Sequence, residues 1–142
     1  NQTQSKMKHY GCILEFTEER NGELMRVYRE LINECRYVSI PELSRRIVST
    51  PCSRFWVSEE RATVVCAALM RGDKSVLKGM RRTKREMYEE IYRRVLIEKM
   101  VNPQAKVAQL VSRFVYSPAP CFYMQARSAM EAIYRIKRNK KN

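Results

Sequence analysis

The sequence predicts an all-α protein made by tandem duplication of a three-helix unit, the two copies packed as one compact body. Apolar residues recur at helical spacing along most of the chain. Helix-start signals precede several of these segments, and Pro and Gly fall between them. The chain also matches itself at an offset of 67, which fits two copies into its 142 residues. Neither copy is large enough to secure a core alone, so a fused helical body is favoured over separate beads.

Residues 1–19 read as a flexible N-terminal arm, Asn/Gln-rich at its start, in which Gly11 to Phe16 resembles an arm or a brief strand. The first unit covers residues 20–72. Leu24, Val27, Tyr28, Leu31 and Cys35 recur at helical spacing and give one amphipathic helix from about residue 20 to 36. Ser39, Pro41 and Glu42 then form a helix start: the serine caps free amides, the glutamate completes the box, and the proline loses little hydrogen bonding in a first turn. That helix ends before Pro51. Ser58 caps a third helix reaching about Met70, with Glu59 and Glu60 near its positive end and Gly72 after its last turn. Its buried stripe is Ala62, Val65, Cys66 and Leu69.

Residues 73–82 are a basic linker overlapping the hinge at Gly72 to Gly79, and residues 83–138 repeat the same grammar. Thr83 and Glu86 make a second box, and Met87, Ile91, Val95 and Met100 line a long helix. Asn102-Pro103 opens the next helix, whose inward residues are Val107, Leu110, Val111 and Phe114. After Pro118 and Pro120 a third helix runs from about residue 124 to 138, buried through Ala126, Ala129, Ile133 and Ile136; residues 139–142 are a basic tail.

The self-match aligns Ile40 through Arg71 with Val107 through Arg138 without a gap, and seven of the 32 positions are identical. Pro51/Pro118, Phe55/Phe122 and Ala62/Ala129 are among them, and Trp56/Tyr123 keeps aromatic character. Upstream, Val27-Tyr28-Arg29 corresponds to Ile91-Tyr92-Arg93 at an offset of 64.

Charge narrows the function. The chain carries 28 Lys+Arg against 15 Asp+Glu, a net +13, which favours polyanions, an anionic membrane or an acidic protein. Residues 1–74 are nearly balanced, so a polyanion-binding surface is expected mainly on residues 75–142. Its densest cluster is Lys78, Arg81, Arg82, Lys84 and Arg85, followed by Arg135, Lys137, Arg138, Lys140 and Lys141.

Two small helical units with basic third helices resemble a tandem helix-turn-helix arrangement over most of residues 24–71 and 88–138. The connections 51–57 and 118–123 are longer and more aromatic than the three- or four-residue turn of the simple motif. The resemblance implies duplex DNA as partner, favoured over RNA, and a place in transcription regulation or DNA architecture. Arg127, Arg135 and Arg138 are then the first candidates on the second recognition helix, with Arg61 and Arg54 the weaker equivalents on the first, since a guanidinium reaches phosphate or guanine's major-groove acceptors. Lys78, Arg81, Arg82, Lys84 and Arg85 would contact phosphates and set affinity more than sequence choice. The bland reading of these charges is a solvated helix face with local salt bridges, such as Arg127 or Arg135 with Glu131. Phe55-Trp56 and Phe122-Tyr123 suit base stacking, but identically placed aromatics in duplicated units more often fill a core.

An enzyme is not expected. The chain has no Walker loop, no GxGxxG and no HExxH, one histidine (His9, near Cys12) and one aspartate (Asp73). No metal or other cofactor is predicted, because zinc needs a fuller ligand set than His9 and Cys12. Five cysteines without a CxxC pair fit a reducing intracellular compartment, cytoplasmic or nucleoid-associated. No apolar stretch approaches bilayer-spanning length, and no membrane partner is expected. The competing function is a structural or adaptor module in a larger assembly, with a protein partner or an oligomer.

Overall fold

The computed structural model describes the backbone of residues 2–34 and 39–141, and the side chains of residues 16–34 and 39–140. Among the described residues there are six α-helices and no sheet: α1 (Gln2–Glu34), α2 (Ile40–Val48), α3 (Glu59–Met70), α4 (Arg82–Val101), α5 (Val107–Val115) and α6 (Ala126–Lys141). A short 3-10 helix, Lys74–Leu77, lies between α3 and α4. The all-α expectation therefore holds.

The first helix is longer than its apolar stripe suggested. Residues 11–16, expected as an arm or brief strand within the segment 1–19, have helical backbone as part of α1. The segment contains no proline, and Gly11 alone costs about 1 kcal/mol in a helix, too little to end one. Cys35 and the side chains of His9 and Cys12 lie outside the described residues.

The chain divides into two compact units, Asn1–Thr50 with Met124–Asn142, and Pro51–Tyr123. In the first, α2 packs mainly on α6 and α1 touches both. Leu24, Val27 and Tyr28 of α1, Leu43 and Ile47 of α2, and Ala129, Ala132 and Ile133 of α6 are buried there. In the second, α3 packs mainly on α5, and α4 touches both; Phe55, Val65, Cys66, Ile91, Val95, Val111, Val115 and Phe122 form the core. This grouping differs from the consecutive units expected at 20–72 and 83–138, because α3 sits with α4 and α5 while α6 sits with α1 and α2. The local cause within Pro51–Tyr123 is the course of the two aromatic connections. Cys52 and Ala119 pair as an antiparallel bridge, each amide donating to the other's carbonyl at 3.0 Å, and the Phe55 amide donates to the Val115 carbonyl at 2.9 Å. The connections thus spend their backbone groups on each other rather than on a tight turn.

Local capping chemistry sets the helix ends. Ser39 Oγ accepts from the Glu42 amide at 3.3 Å, and Ser58 Oγ from the Arg61 amide at 3.0 Å, as expected for α2 and α3. Gly72 follows α3 with φ +85°, a left-handed conformation that glycine adopts without a Cβ penalty. The expected Thr83–Glu86 box does not form: α4 starts two residues earlier with Arg81 as its uncapped N-cap, and Glu86 instead pairs with Arg82 at 3.4 Å. Asn102 closes α4 rather than opening α5, its amide donating to the Glu98 carbonyl at 2.8 Å. The turn beyond it is held by Lys99 Nζ, which donates to the carbonyls of Pro103 (3.1 Å) and Ala105 (2.8 Å), so α5 begins only at Val107. At the other end, α6 continues to Lys141, taking in most of the expected tail 139–142.

Met100, expected on the inner face of α4, is 83% exposed. Among the described residues no helix is long and apolar enough to cross a membrane, and Cys66 and Cys121 are free thiols.

Candidate functional site

Regrouping the helices redistributes the charge. Asn1–Thr50 with Met124–Asn142 holds fourteen Lys/Arg against eight Asp/Glu, and Pro51–Tyr123 holds fourteen against seven. Each unit is therefore strongly basic, whereas the sequence halves suggested that one would carry nearly all the excess.

In the first unit the excess of cations falls on α6, which carries six Lys/Arg against the single Glu131. Ala129, Ala132 and Ile133 turn that helix inward, leaving Arg127, Glu131, Tyr134, Arg135 and Arg138 on its exposed side. Arg127 and Glu131 form an ion pair at 3.5 Å, with side chains 83% and 57% exposed. Glu131, Tyr134, Arg135 and Arg138 line an open surface pocket. Lys137 is held differently: its Nζ donates to the Tyr28 hydroxyl at 3.0 Å and lies 5.4 Å from the ring centroid, tying α6 to α1.

That packing also brings Arg20 into play, a residue the sequence pattern did not single out. Burial, and then the charge of Arg135, hold the Arg20 guanidinium below its ordinary pKa. Its Nε and Nη2 donate to the Asn21 side chain, at 3.3 and 3.2 Å, while the like charge of Arg135 on α6 opposes its own. The only sequence signal for Arg20 is its place at the edge of the apolar stripe of α1; its neighbour lies 115 positions away.

In the second unit the five clustered cations are all exposed: Lys78, Arg81, Arg82, Lys84 and Arg85. Arg71 at the end of α3 and Lys74 in the 3-10 helix extend the run. No acidic residue lies in the first turn of α4, where Arg82, Lys84 and Arg85 sit against the positive end of the helix. Asp73 caps the 3-10 helix, and hydrogen bonds from the Ser75 hydroxyl and amide hold its carboxyl below the usual range.

Arg54 is not a surface group. It is 7% exposed, with Nε donating to the Phe55 carbonyl at 2.9 Å and Nη2 to the Val57 carbonyl at 2.7 Å. Its guanidinium lies 4.5 Å from the Tyr116 ring centroid and 5.7 Å from that of Trp56. The expectation of nucleic-acid contact through Arg54 is therefore corrected: the group is occupied in fastening the connection before α3. Arg61 is exposed, but it follows Glu59 and Glu60, so α3 presents an acidic first turn rather than a basic one.

The aromatic pairs pack on each other, each joining a buried Phe to a half-buried Trp56 or Tyr123. Phe55 stacks on Tyr123 (centroids 5.7 Å, planes 18° apart) and Trp56 on Phe122 (6.5 Å, 20°), with Phe55 and Phe122 essentially inaccessible. Tyr123 reaches this position with φ +52°, and burial raises its phenol pKa. Among the described residues no three His, Cys, Asp or Glu side chains gather as a metal site. No family model matches the chain, and no curated protein or solved structure matches it.

Proposed function

We propose that this is a non-enzymatic nucleic-acid-binding protein that engages duplex DNA in a regulatory or architectural role. In this reading its chain arose by duplication of a three-helix, helix-turn-helix-like unit whose third helices are exchanged. The observation that carries the functional reading is α6: it is anchored through Ala129, Ala132 and Ile133 and displays Arg127, Arg135 and Arg138 on its free side. A 16-residue helix presenting guanidinium groups from one face has the form of an element that enters a major groove. The exposed run from Arg71 to Arg85 supplies phosphate contacts in the other unit. It also accounts for cations in the first turn of α4, where an isolated helix would favour acids. The free thiols of Cys66 and Cys121 suit a reducing intracellular compartment.

The test is fluorescence anisotropy with labelled duplex DNA, single-stranded DNA and RNA of matched length, titrated at several salt concentrations. Duplex binding is expected to weaken with salt and to drop selectively when Arg127, Arg135 and Arg138 are replaced together by Ala. Binding unchanged in that variant, or no duplex binding near physiological salt, overturns the proposal.

A second reading, an adaptor in a larger assembly, draws on the C-terminal part of α4. Ile97, Met100 and Val101 are 49%, 83% and 78% exposed and, with Leu96, make an apolar strip at the end of that helix. A concentration-dependent mass by light scattering that falls when Met100 and Val101 become Ser would favour it.

A further inference from the structure

We infer that Glu131 is a base-reading residue of α6, selecting cytosine by accepting a hydrogen bond from its exocyclic amino group in the major groove. The inference rests on the duplex-DNA reading above and adds sequence choice to it.

Glu131 is the sole carboxylate in residues 124–142, which hold six Lys/Arg. It stands in the middle of the free face of α6, one turn from Arg127 and one turn from Arg135, and lines the open pocket with Tyr134, Arg135 and Arg138. Its pairing with Arg127 is long, 3.5 Å, between two largely exposed side chains. Such a pair contributes little and exchanges readily for another partner.

A carboxylate on a face that meets phosphates opposes backbone binding. It is offset where the carboxylate finds a donor, and the major groove offers two: the amino groups of cytosine and adenine. Adenine places an N7 acceptor beside its amino group, which suits the mixed donor and acceptor of an amide side chain and repels a carboxylate. Cytosine presents its amino donor without that acceptor. The guanine opposite offers only acceptors, O6 and N7, which match an arginine. Arg135, one turn along the same face, supplies those donors, so Glu131 and Arg135 together suit a C·G pair or two adjacent ones.

The experiment is selection from randomised duplexes with the full chain and with Glu131→Gln, followed by titration of the selected duplex and of the same duplex with each cytosine replaced in turn. The wild-type chain is expected to select at least one cytosine. Glu131→Gln is expected to lose that preference by roughly tenfold and shift toward adenine, while binding to unrelated duplex holds or strengthens as the negative charge is removed. Glu131→Ala is expected to lose the cytosine preference without gaining adenine. The same motif with the same discrimination in both variants overturns the inference and leaves Glu131 as a helix ion-pair residue. Tight duplex binding by the wild type with no selected motif overturns it too, while sparing the duplex reading. Absence of any duplex binding by the wild type is the separate failure that overturns both.

Discussion

Cys52 and Ala119 exchange backbone hydrogen bonds in both directions, and they stand 67 residues apart, the offset at which the sequence matches itself. The rings around them obey the same reciprocity. Phe55 corresponds to Phe122 and Trp56 to Tyr123, and the observed stacks are Phe55 on Tyr123 and Phe122 on Trp56. Two connections lying antiparallel, each placing its rings on the other's, make an arrangement that fits the proposed duplication.

These rings are expected to be stability residues. Phe55→Ala and Phe122→Ala should each cost about 3–5 kcal/mol, read by urea unfolding, because each deletes a fully buried ring and leaves a cavity. The more conservative Trp56→Phe and Tyr123→Phe, folded by circular dichroism, should bind single-stranded DNA no more weakly than the wild type. A selective loss there would move the aromatics from core to binding surface.

Arg54→Ala should lower stability by about 2–3 kcal/mol, since two buried carbonyls lose a charged donor and two rings lose the guanidinium over them. Arg54→Lys should recover only part, because one ammonium cannot reproduce two bonds from a planar fork. Denaturant midpoints of the three proteins decide this. Equal midpoints for Arg54→Ala and wild type would contradict the fastening role.

The start of α4 should show stability and binding moving in opposite directions. Arg81→Ser gives the helix a capping hydroxyl in place of an uncapped arginine, an expected gain of about 0.5–1 kcal/mol. The same change removes an exposed cation, so the salt slope of duplex binding should fall by about one. Thermal melting and anisotropy on the same samples check both halves.

Cys66 should limit stability at alkaline pH. Burial pushes its thiol from an ordinary 9.0 up to about 11. The folded-state value is the higher one, so the contribution is complete below pH 9 and is lost as pH rises toward 11, where the unfolded chain ionises first. Cys66→Ala should flatten the fall in stability over that window, measured by urea unfolding between pH 8 and 11. An unchanged slope would show that the thiol ionises as readily in the folded chain.

Legibility in the sequence followed the range of each interaction. Ser39 and Ser58 were readable as caps because their partners, the amides of Glu42 and Arg61, lie three residues on. The stripe Ala62, Val65, Cys66 and Leu69 was readable because helical spacing fixes which side is buried. Periodicity does not say what covers that side, and so the pairing of α3 with α5 and of α2 with α6 was missed. Asn102-Pro103 carried a plausible helix-start signal that Lys99 overrides by holding the following turn. At the candidate site, exposed cations such as Lys78 and Arg138 could be named from charge density alone. Arg54 could not be told from them, since its carbonyl partners are backbone groups that every residue possesses. Arg20 was invisible for the opposite reason: its significance comes from Arg135, which only the packing of α1 with α6 brings near.

The placement of α6 with α1 and α2 has a consequence for synthesis on the ribosome. Leu24, Val27, Leu43 and Ile47 are made long before Ala129 and Ile133, which share their core. At typical elongation rates of 5–20 residues per second, the first fifty residues wait roughly 4–16 s for the helix that completes them. Pro51–Tyr123 is contiguous and emerges whole in that interval. Pro51–Tyr123 is thus complete before α1 and α2 acquire α6, and their apolar faces stay open to chaperones in the meantime.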